Sequence, residues 1–188
     1  MSIHKDQPYL HGLSLTNSAN RVHLVTLPKK GKKSLTNHEI DHDFNGLLWC
    51  GLAVISALTG VPTSTARDLV KSFRKNPQSI VTGTTEYDVD YVLKRLGYKM
   101  EYCCLYGGKE KNAQPTLSRW LEETKKERVP DVGYLISFTK TKNDPSGHWG
   151  LILNGRYICS FSQTWVELKK APFRRRKIDN VFAIQRVK

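Results

Sequence analysis

Hydrophobic residues recur at helical spacing in four segments of the chain. The first segment begins just after Asn45-Gly46, contains Cys50 and ends at Gly60, and a glycine in that place is typical of a helix end. Thr85 is in the position of an N-cap for the third segment. The pattern therefore predicts a helix from Cys50 to Gly60 and further helices over residues 65–75, 86–96 and 115–126.

Short runs rich in β-branched and aromatic residues predict strands, mostly in the second half of the chain. Two of these runs are joined by Asn154-Gly155, the strongest short signal for a β-hairpin. The predicted strands are residues 21–27, 99–105, 133–138, 148–153, 156–161, 164–168 and 181–187. Because the helices come first and the strands later, we expect an α+β fold in which N-terminal helices pack on a C-terminal antiparallel sheet.

The chain has 188 residues and 39% hydrophobic content, which suits one domain with its own core. We expect residues 1–36 to form an N-terminal extension with a possible strand, and residues 37–188 to form the domain. No run approaches the roughly 18 apolar residues that a membrane span needs, and the first residues lack the apolar core of a signal peptide. These features predict a cytoplasmic protein that no signal peptide directs to secretion.

The four cysteines are too irregularly placed for a zinc site or a disulfide framework. This usage favours a reducing compartment. No cofactor is expected from the sequence. The four are Cys50, Cys103, Cys104 and Cys159.

A formal net charge of +13 marks the chain as strongly basic. The charge is locally concentrated at Lys29-Lys30-Gly31-Lys32-Lys33 and at Arg174-Arg175-Arg176-Lys177. No recognisable nucleic-acid-binding motif accompanies these clusters. Three interpretations therefore stay open: binding to nucleic acid, binding to an acidic protein, or a charged surface that keeps the protein in solution.

The strongest catalytic pattern is a cysteine and a histidine far apart in sequence. Cys50 is predicted in the first turn of its helix, where orphan N–H groups and the helix dipole stabilise a thiolate. The alternative is a structural thiol, because cysteines are often buried in cores. His148 opens the first strand of the predicted hairpin. A cysteine at a helix start and a histidine on a sheet is a layout used in nucleophilic catalysis.

A second chemical pattern lies upstream of that helix. His38-Glu39-Ile40-Asp41-His42 matches H-E-x-x-H, in which a helix presents two zinc-binding histidines and a general base. The flanking residues are polar and leave room for barely two helical turns, and no obvious third ligand follows. A solvated helix or loop that leads into the Cys50 helix is the alternative.

The stretch of Cys50 with Ala57-Leu58-Thr59-Gly60-Val61-Pro62 resembles the nucleophile helix of small papain-like cysteine peptidases, particularly phage-type ones. These are distant relatives of the peptidases that process double-glycine leader peptides. The similarity continues through Gly83-Thr84-Thr85, Leu96-Gly97-Tyr98 and Gly147-His148, and covers residues 45–165. The resemblance implies a papain-like fold, a Cys50 nucleophile and a His148 general base. A phage-encoded protein would act in the host cytoplasm.

The residue that orients the histidine is where this sequence departs from the family. The resemblance implies an Asp or Asn at the position held here by Cys159, which serves that purpose poorly. A two-residue turn at Asn154-Gly155 places Phe161 opposite His148, with Cys159 and Gln163 as diagonal neighbours on the same face. Gln163 is therefore the candidate orienter. A Cys–His dyad and an inactive relative are the alternatives.

The oxyanion donor and the substrate cleft are also expected from the resemblance. Papain-like enzymes pair the backbone N–H of the cysteine with a glutamine a few residues upstream. The nearest equivalent is Asn45, five residues before Cys50, unless it is only a turn residue. Trp49 and Trp149 flank the proposed pair and are expected to wall a substrate cleft or to pack in the core.

The leading hypothesis is a cysteine peptidase-like hydrolase that cleaves an amide or isopeptide bond of a protein or peptide through a thioester on Cys50, with His148 as general base. The first alternative is an inactive papain-like binding module that uses its basic surface to hold an acidic protein or nucleic acid. The second is a zinc hydrolase that uses His38, Glu39 and His42. A peptidase should carry one hyper-reactive cysteine, whereas a zinc enzyme should lose activity to chelators.

Overall fold

The computed structural model describes residues 34–74, 76, 78, 80–106, 113–142 and 147–187. These residues form four α-helices and a six-stranded antiparallel sheet, so the prediction of an α+β fold with N-terminal helices is confirmed. The helices are α1 (Cys50–Thr59), α2 (Thr63–Phe73), α3 (Glu86–Arg95) and α4 (Leu117–Glu123). The strands are β1 (Tyr98–Leu105), β2 (Gly133–Phe138), β3 (His148–Leu153), β4 (Arg156–Ile158), β5 (Val166–Glu167) and β6 (Ile178–Arg186). None of the described helices has both the length and the apolar character needed to cross a bilayer.

Helix α1 is the most deeply buried helix of the fold. Its residues 51–58 are all buried, which the apolar sequence requires. It ends at Gly60, whose left-handed φ of 76° lets its N–H donate to the carbonyl of Ser56 at 2.8 Å. A side chain at position 60 would also press on the ring of His38, which lies 2.9 Å from where a Cβ would be. The predicted end of this helix at Gly60 is confirmed.

Helix α3 begins with a capping box that is tied to a buried ion pair. The side chain of Thr85 accepts a bond from the N–H of Asp88, whose carboxylate accepts one in return from the N–H of Thr85 at 2.7 Å. The same carboxylate accepts two bonds from Arg74 at the end of α2, at 2.7 and 3.0 Å. Arg74 also donates to the carbonyl of Gly83 at 2.7 Å. These bonds fix the 83–85 loop between the two helices.

The sheet has the strand order β1-β6-β2-β3-β4-β5 and is covered on both faces. Alternate residues of its strands point to opposite faces. On one face Leu135, Trp149 and Leu151 join the core formed by α1, α2 and α3. On the other face Ile136 and Ile152 join a second core that includes α4. The strand that begins with His148 is therefore buried along its whole length.

The hairpin forms at Asn154-Gly155, and its register is the predicted one: Leu153 pairs with Arg156 and Ile152 with Tyr157. Strand β4 stops at Ile158, however, so the predicted strand over residues 156–161 is wrong beyond that residue. The N–H of Cys159 donates to the hydroxyl of Ser162 at 3.0 Å, and the carbonyl of Cys159 accepts from the N–H of Gln163 at 2.9 Å. These local bonds form a turn and occupy the backbone N–H and carbonyl of Cys159, which are then not available for pairing with β3.

The segment that precedes α1 runs alongside it without forming a helix. Leu35 is buried in the core, the N–H of His38 donates to the carbonyl of Ala57, and the N–H of Asp41 donates to the hydroxyl of Ser56. Packing of the described fold thus begins before residue 37. The predicted strand over residues 21–27 and the basic cluster at Lys29-Lys30-Gly31-Lys32-Lys33 lie outside the described residues.

Candidate active site

Cys50 is the first residue of α1 and is half-buried. Trp49 occupies the N-cap position without a side-chain cap, and the first turn contains no acidic residue. The side chain of the cap residue therefore accepts no hydrogen bond from the N–H groups of this turn. A helix start of this kind stabilises negative charge on a nearby atom.

Thr84 connects the start of α1 to the start of β3. The hydroxyl of Thr84 packs so closely on Gly51 that a Cβ at position 51 would lie 1.7 Å from it. The carbonyl of Thr84 accepts a bond from the indole N–H of Trp149 at 3.2 Å. Gly51 and Trp149 are the chain neighbours of Cys50 and His148, and both contact this one residue. The two predicted catalytic residues thus lie on elements that meet at Thr84.

Gly51→Ala is expected to lower the free energy of unfolding by about 1–3 kcal/mol, because the added methyl group overlaps Thr84. In an unobstructed helix the same change would add stability, so the sign of the effect is informative. Gly83→Ala is the matched control, since no atom lies within 4 Å of a Cβ there. Urea denaturation of the three proteins checks the prediction, and equal stability of the two variants would contradict it.

His148 is buried, and aromatic rings surround it. It pairs with Phe138 across β2 and β3, and the two ring centroids are 6.0 Å apart. The ring of Phe173 lies 4.7 Å from that of His148, and the ring of Phe161 lies 5.3 Å from it at a steep angle. Phe161 and Phe173 also contact each other at 5.1 Å. The imidazole thus packs among three aromatic rings.

A pocket of about 370 Å³ opens beside His148. It lies where β2 ends, β3 begins and β6 begins, next to the first turn of α3. Trp149 and Thr84 also line it, so it adjoins the junction between α1 and β3. This pocket is the candidate place for the part of a substrate that lies next to the histidine.

Tyr157 on β4 connects the hairpin to two thiols. Its hydroxyl lies near the thiols of Cys159 and Cys50, and burial together with these thiols raises the pKa of the phenol well above its ordinary value. Its ring crosses Gly150, where a Cβ would lie 2.4 Å from the phenol oxygen. Tyr157 thus lies between the turn after β4 and the start of α1.

The candidate orienter lies in the turn after β4. Gln163 is exposed and has a left-handed φ of 55°. Because β4 stops at Ile158, the strand register from which Gln163 was predicted does not extend that far. Cys159, at the position where the resemblance places an acid, is fully buried. The role of Gln163 stays a prediction.

Asn45 and Trp49 line a second pocket of about 270 Å³. Its walls are largely apolar, with the exposed side chains of Leu47 and Ile80 at the rim and Arg67 above the ring of Phe44. Trp149 lines the first pocket and is 5% exposed, with its ring in the core. The two predicted cleft tryptophans thus belong to different pockets, and the role of Asn45 as an oxyanion donor stays a prediction.

The H-E-x-x-H pattern does not form the helix that zinc hydrolases require. The backbone from His38 to His42 bonds to α1 and α2, the ring of His38 packs on Gly60, and the ring of His42 packs on Phe44. The described residues contain no group of three or more side chains placed to hold a metal ion. The helical premise of the zinc alternative is therefore wrong.

The basic cluster Arg174-Arg175-Arg176-Lys177 is largely tied to the protein itself. Arg174 donates to the carbonyl of Lys169 and the hydroxyl of Ser118, and Arg176 donates twice to the carbonyl of Thr139. Lys177 donates to the carbonyl of Gln114. These contacts hold three of the four side chains to the protein through neutral acceptors, and binding of nucleic acid or of an acidic partner stays a prediction.

The chain matches no protein-family model and no curated protein. Among solved structures it is similar to the peptidase domain of Streptococcus ComA, a bi-functional ABC transporter involved in a quorum sensing pathway. The TM-score is 0.43 at 15% sequence identity, over 81% of this chain and 98% of that chain. A likeness of this size assigns neither a family nor an activity to the chain.

Several site residues were missed by sequence reasoning. Tyr157, Phe173 and Asp179 come from separate segments, and nothing local in the sequence brings them together. Thr84 belongs to a stretch that carried the resemblance, but its contacts with Gly51 and Trp149 were not predicted. Gly150 did carry a signal, because an isolated glycine inside an apolar strand often marks a close approach by another group.

Proposed function

We propose that the protein is a papain-like cysteine peptidase with Cys50 as nucleophile and His148 as general base. The observation that carries the proposal is the shared contact with Thr84 of Gly51 and Trp149, the neighbours of those two residues. The chemistry of a cysteine at a helix start supports it as well. The fold order, helices first and antiparallel sheet after, agrees with the resemblance in the sequence.

In the proposed reaction, His148 takes the proton from the thiol of Cys50, and the sulfur attacks the carbonyl carbon of an amide or isopeptide bond. The backbone N–H of Cys50 and the side chain of Asn45 stabilise the oxyanion. The carbon–nitrogen bond then breaks, and the amine leaves with the proton from His148. Water hydrolyses the remaining thioester. Gln163 is the proposed orienter of His148, and the rings of Phe161 and Phe173 pack against its imidazole.

The test is the rate of iodoacetamide labelling as a function of pH, with the labelled sites located by mass spectrometry. Labelling of Cys50 in preference to the other cysteines proves little, because Cys50 is half-buried and the other three are fully buried. The pH profile decides the question. We expect rapid labelling of Cys50 well below the ordinary cysteine pKa of about 8.5, and a rate at pH 7 that falls about tenfold in His148→Ala.

His42→Ala is the matched control, because it removes an exposed imidazole that packs only on Phe44 in the described contacts. It should leave the profile unchanged. His148→Gln provides a second variant that fills more of the buried site, and thermal unfolding shows whether each variant is folded. A wild-type profile that rises only above pH 8 would refute the proposed pair and favour the inactive binding module.

A further inference from the structure

The pocket beside His148 has two carboxylates in its wall. Glu86 comes from the first turn of α3, and Asp179 comes from the start of β6, where the pairing of β6 with β2 is irregular. Both side chains are partly accessible. The chain as a whole is strongly basic, with 30 Lys and Arg residues against 17 Asp and Glu residues. The two acidic side chains in this pocket are therefore opposite in sign to the net charge of the protein.

Glu86 is held in place by neutral groups. One of its oxygens accepts a bond from the amide of Asn180 at 2.7 Å, and the other accepts one from the hydroxyl of Tyr102 at 2.7 Å. Neutral donors orient a carboxylate without cancelling its charge. Among the ion pairs of the described residues, none includes Glu86 or Asp179. The position of the Glu86 carboxylate is thus fixed by neutral donors, without a positively charged side chain paired to it in those ion pairs.

Asp179 lines the same pocket. Burial raises the pKa of Asp179, and the charge of Lys140 opposes that shift. Lys140 lines the pocket too, but its side chain is exposed at the rim and makes no ion pair with Asp179. A second cation inside the pocket would also lower the pKa of Asp179. The pocket interior thus favours a positive group.

An exposed aromatic ring completes the pocket. Tyr87 is 68% exposed and lines the pocket beside Glu86. An exposed ring next to carboxylates attracts the methylene groups and the charged end of a lysine or arginine side chain. The volume of about 370 Å³ is near the lower end of the range of about 300–1,000 Å³ for small-molecule sites, which suits one long side chain.

We propose that this pocket is a subsite for a lysine or arginine side chain of the peptide substrate, with Asp179 and Glu86 as the specificity-determining carboxylates. The inference rests on the proposed function, since only a peptidase with Cys50 and His148 would present a substrate here. It extends that function by naming a substrate class: peptides with a basic residue next to or near the cleaved bond.

The test uses acetylated tripeptidyl chloromethyl ketones, which alkylate a thiolate by forming a carbon–sulfur bond as chloride leaves. The variable residue is lysine, norleucine or glutamate, placed either next to the reactive ketone or one residue further away. Norleucine keeps the apolar length of lysine but lacks its charge. We expect the lysine reagent to alkylate Cys50 at least about tenfold faster than the norleucine reagent at one of the two positions, and the glutamate reagent to be slowest.

The carboxylates are then removed by charge-neutral substitution. Asp179→Asn leaves the contacts of Glu86 in place and should reduce the preference for lysine. Adding Glu86→Gln should reduce it further, so that in the double variant the lysine and norleucine rates agree within about twofold. Iodoacetamide has no side chain to fill the pocket, so its labelling rate measures the reactivity of the Cys50 thiol in each variant. The preference for lysine is taken as the ratio of the lysine rate to the norleucine rate within one variant, and a change in thiol reactivity cancels in that ratio. Increasing salt should weaken the preference for lysine in the wild type.

Two failures are distinguishable by this design. If iodoacetamide labels Cys50 rapidly but lysine gives no advantage at either position, the subsite is refuted and the peptidase proposal survives. If Cys50 is unreactive toward iodoacetamide as well, the nucleophile is wrong and both proposals fall. A preference for lysine that persists in the folded double variant would also refute the assigned carboxylates.

Discussion

Asp88→Ala is expected to lower the free energy of unfolding by about 3 kcal/mol. The side chain of Asp88 is 3% exposed and accepts bonds from Arg74 and Thr85, so its loss removes a helix cap and leaves the Arg74 charge without its partner. The expected value is at the low end of the range for broken buried pairs, because the side chain of Arg74 is 29% exposed and can reach water. Chemical denaturation at pH 7 measures the loss.

The pH dependence of this effect has a defined sign. Burial alone would raise the pKa of Asp88, but hydrogen bonds from Arg74 and Thr85 outweigh burial and leave that pKa below its ordinary value. A lowered pKa contributes stability above the unfolded-state pKa of about 3.9, and this contribution is lost as pH falls through the folded-state value. The stability gap between wild type and Asp88→Ala should therefore narrow below about pH 4.

Asp90→Ala is the control for Asp88→Ala. Asp90 forms an exposed ion pair with Lys94 one turn along α3, and such pairs contribute about 0.5 kcal/mol or less. If the two variants lost similar amounts of unfolding free energy, the buried ion pair would not be what stabilises this region. The same conclusion would follow if the stability difference between wild type and Asp88→Ala stayed constant as the solution is acidified.

Gly150→Ala is expected to destabilise the protein by about 3 kcal/mol or more, at the upper end of the usual range for overpacking. A Cβ at this position would lie 2.4 Å from the phenol oxygen of Tyr157 and 2.7 Å from two of its ring carbons. Tyr157 is fully buried and lies between β3 and a packed core, so it cannot swing away. Thermal and urea unfolding measure the effect.

A double-mutant cycle separates this overlap from a general effect of alanine in the strand. Tyr157→Leu removes the ring atoms that the new methyl group would meet. In that background Gly150→Ala should cost at least about 1 kcal/mol less than in the wild type. An equal cost in both backgrounds would mean that the contact with Tyr157 is not the cause.

The parts of the fold that the sequence predicted depend on local chemistry. Gly60 ends α1 because its left-handed backbone suits glycine, and Asn154-Gly155 makes the hairpin because a two-residue turn favours this pair. Thr85 caps α3 through its own side chain and that of Asp88. In each case the deciding atoms lie within a few residues of one another, so the pattern in the sequence is sufficient.

The parts that could not be predicted depend on contacts between distant segments. The backbone of His38-Glu39-Ile40-Asp41-His42 bonds to α1 and α2, which overrides its helical pattern. Strand β4 ends early because Ser162 bonds to Cys159, a side-chain contact that the alternation of apolar residues does not reveal. The pocket beside His148 is lined by the start of α3 and by residues of three strands, and no spacing within one segment of the sequence predicts this arrangement.

The residues of the candidate site also divide into those predicted from local sequence and those that depend on contacts between distant segments. Cys50 and His148 were predicted from their places at the starts of a helix and a strand, and those places are as expected. Thr84 lies in the Gly83-Thr84-Thr85 stretch of the resemblance, but that stretch does not reveal its contacts with the neighbours of both residues. Glu86 and Asp179 are 93 positions apart in the chain, so their shared pocket follows only from the packing of α3 beside β6 in the folded protein.

The position of β6 in the sheet constrains how the chain can fold. Strand β6 lies between β1 and β2, so neither of those strands has its full set of hydrogen bonds until residues 178–186 are in place. A nascent chain that has left the ribosome only as far as the β3–β4 hairpin exposes the unpaired edges of β1 and β2. Such edges are sites of pairing with other chains. Contacts so distant in sequence also make folding slow. During synthesis the sheet therefore closes late, and the part of the pocket wall that contains Asp179 forms only when β6 is in place.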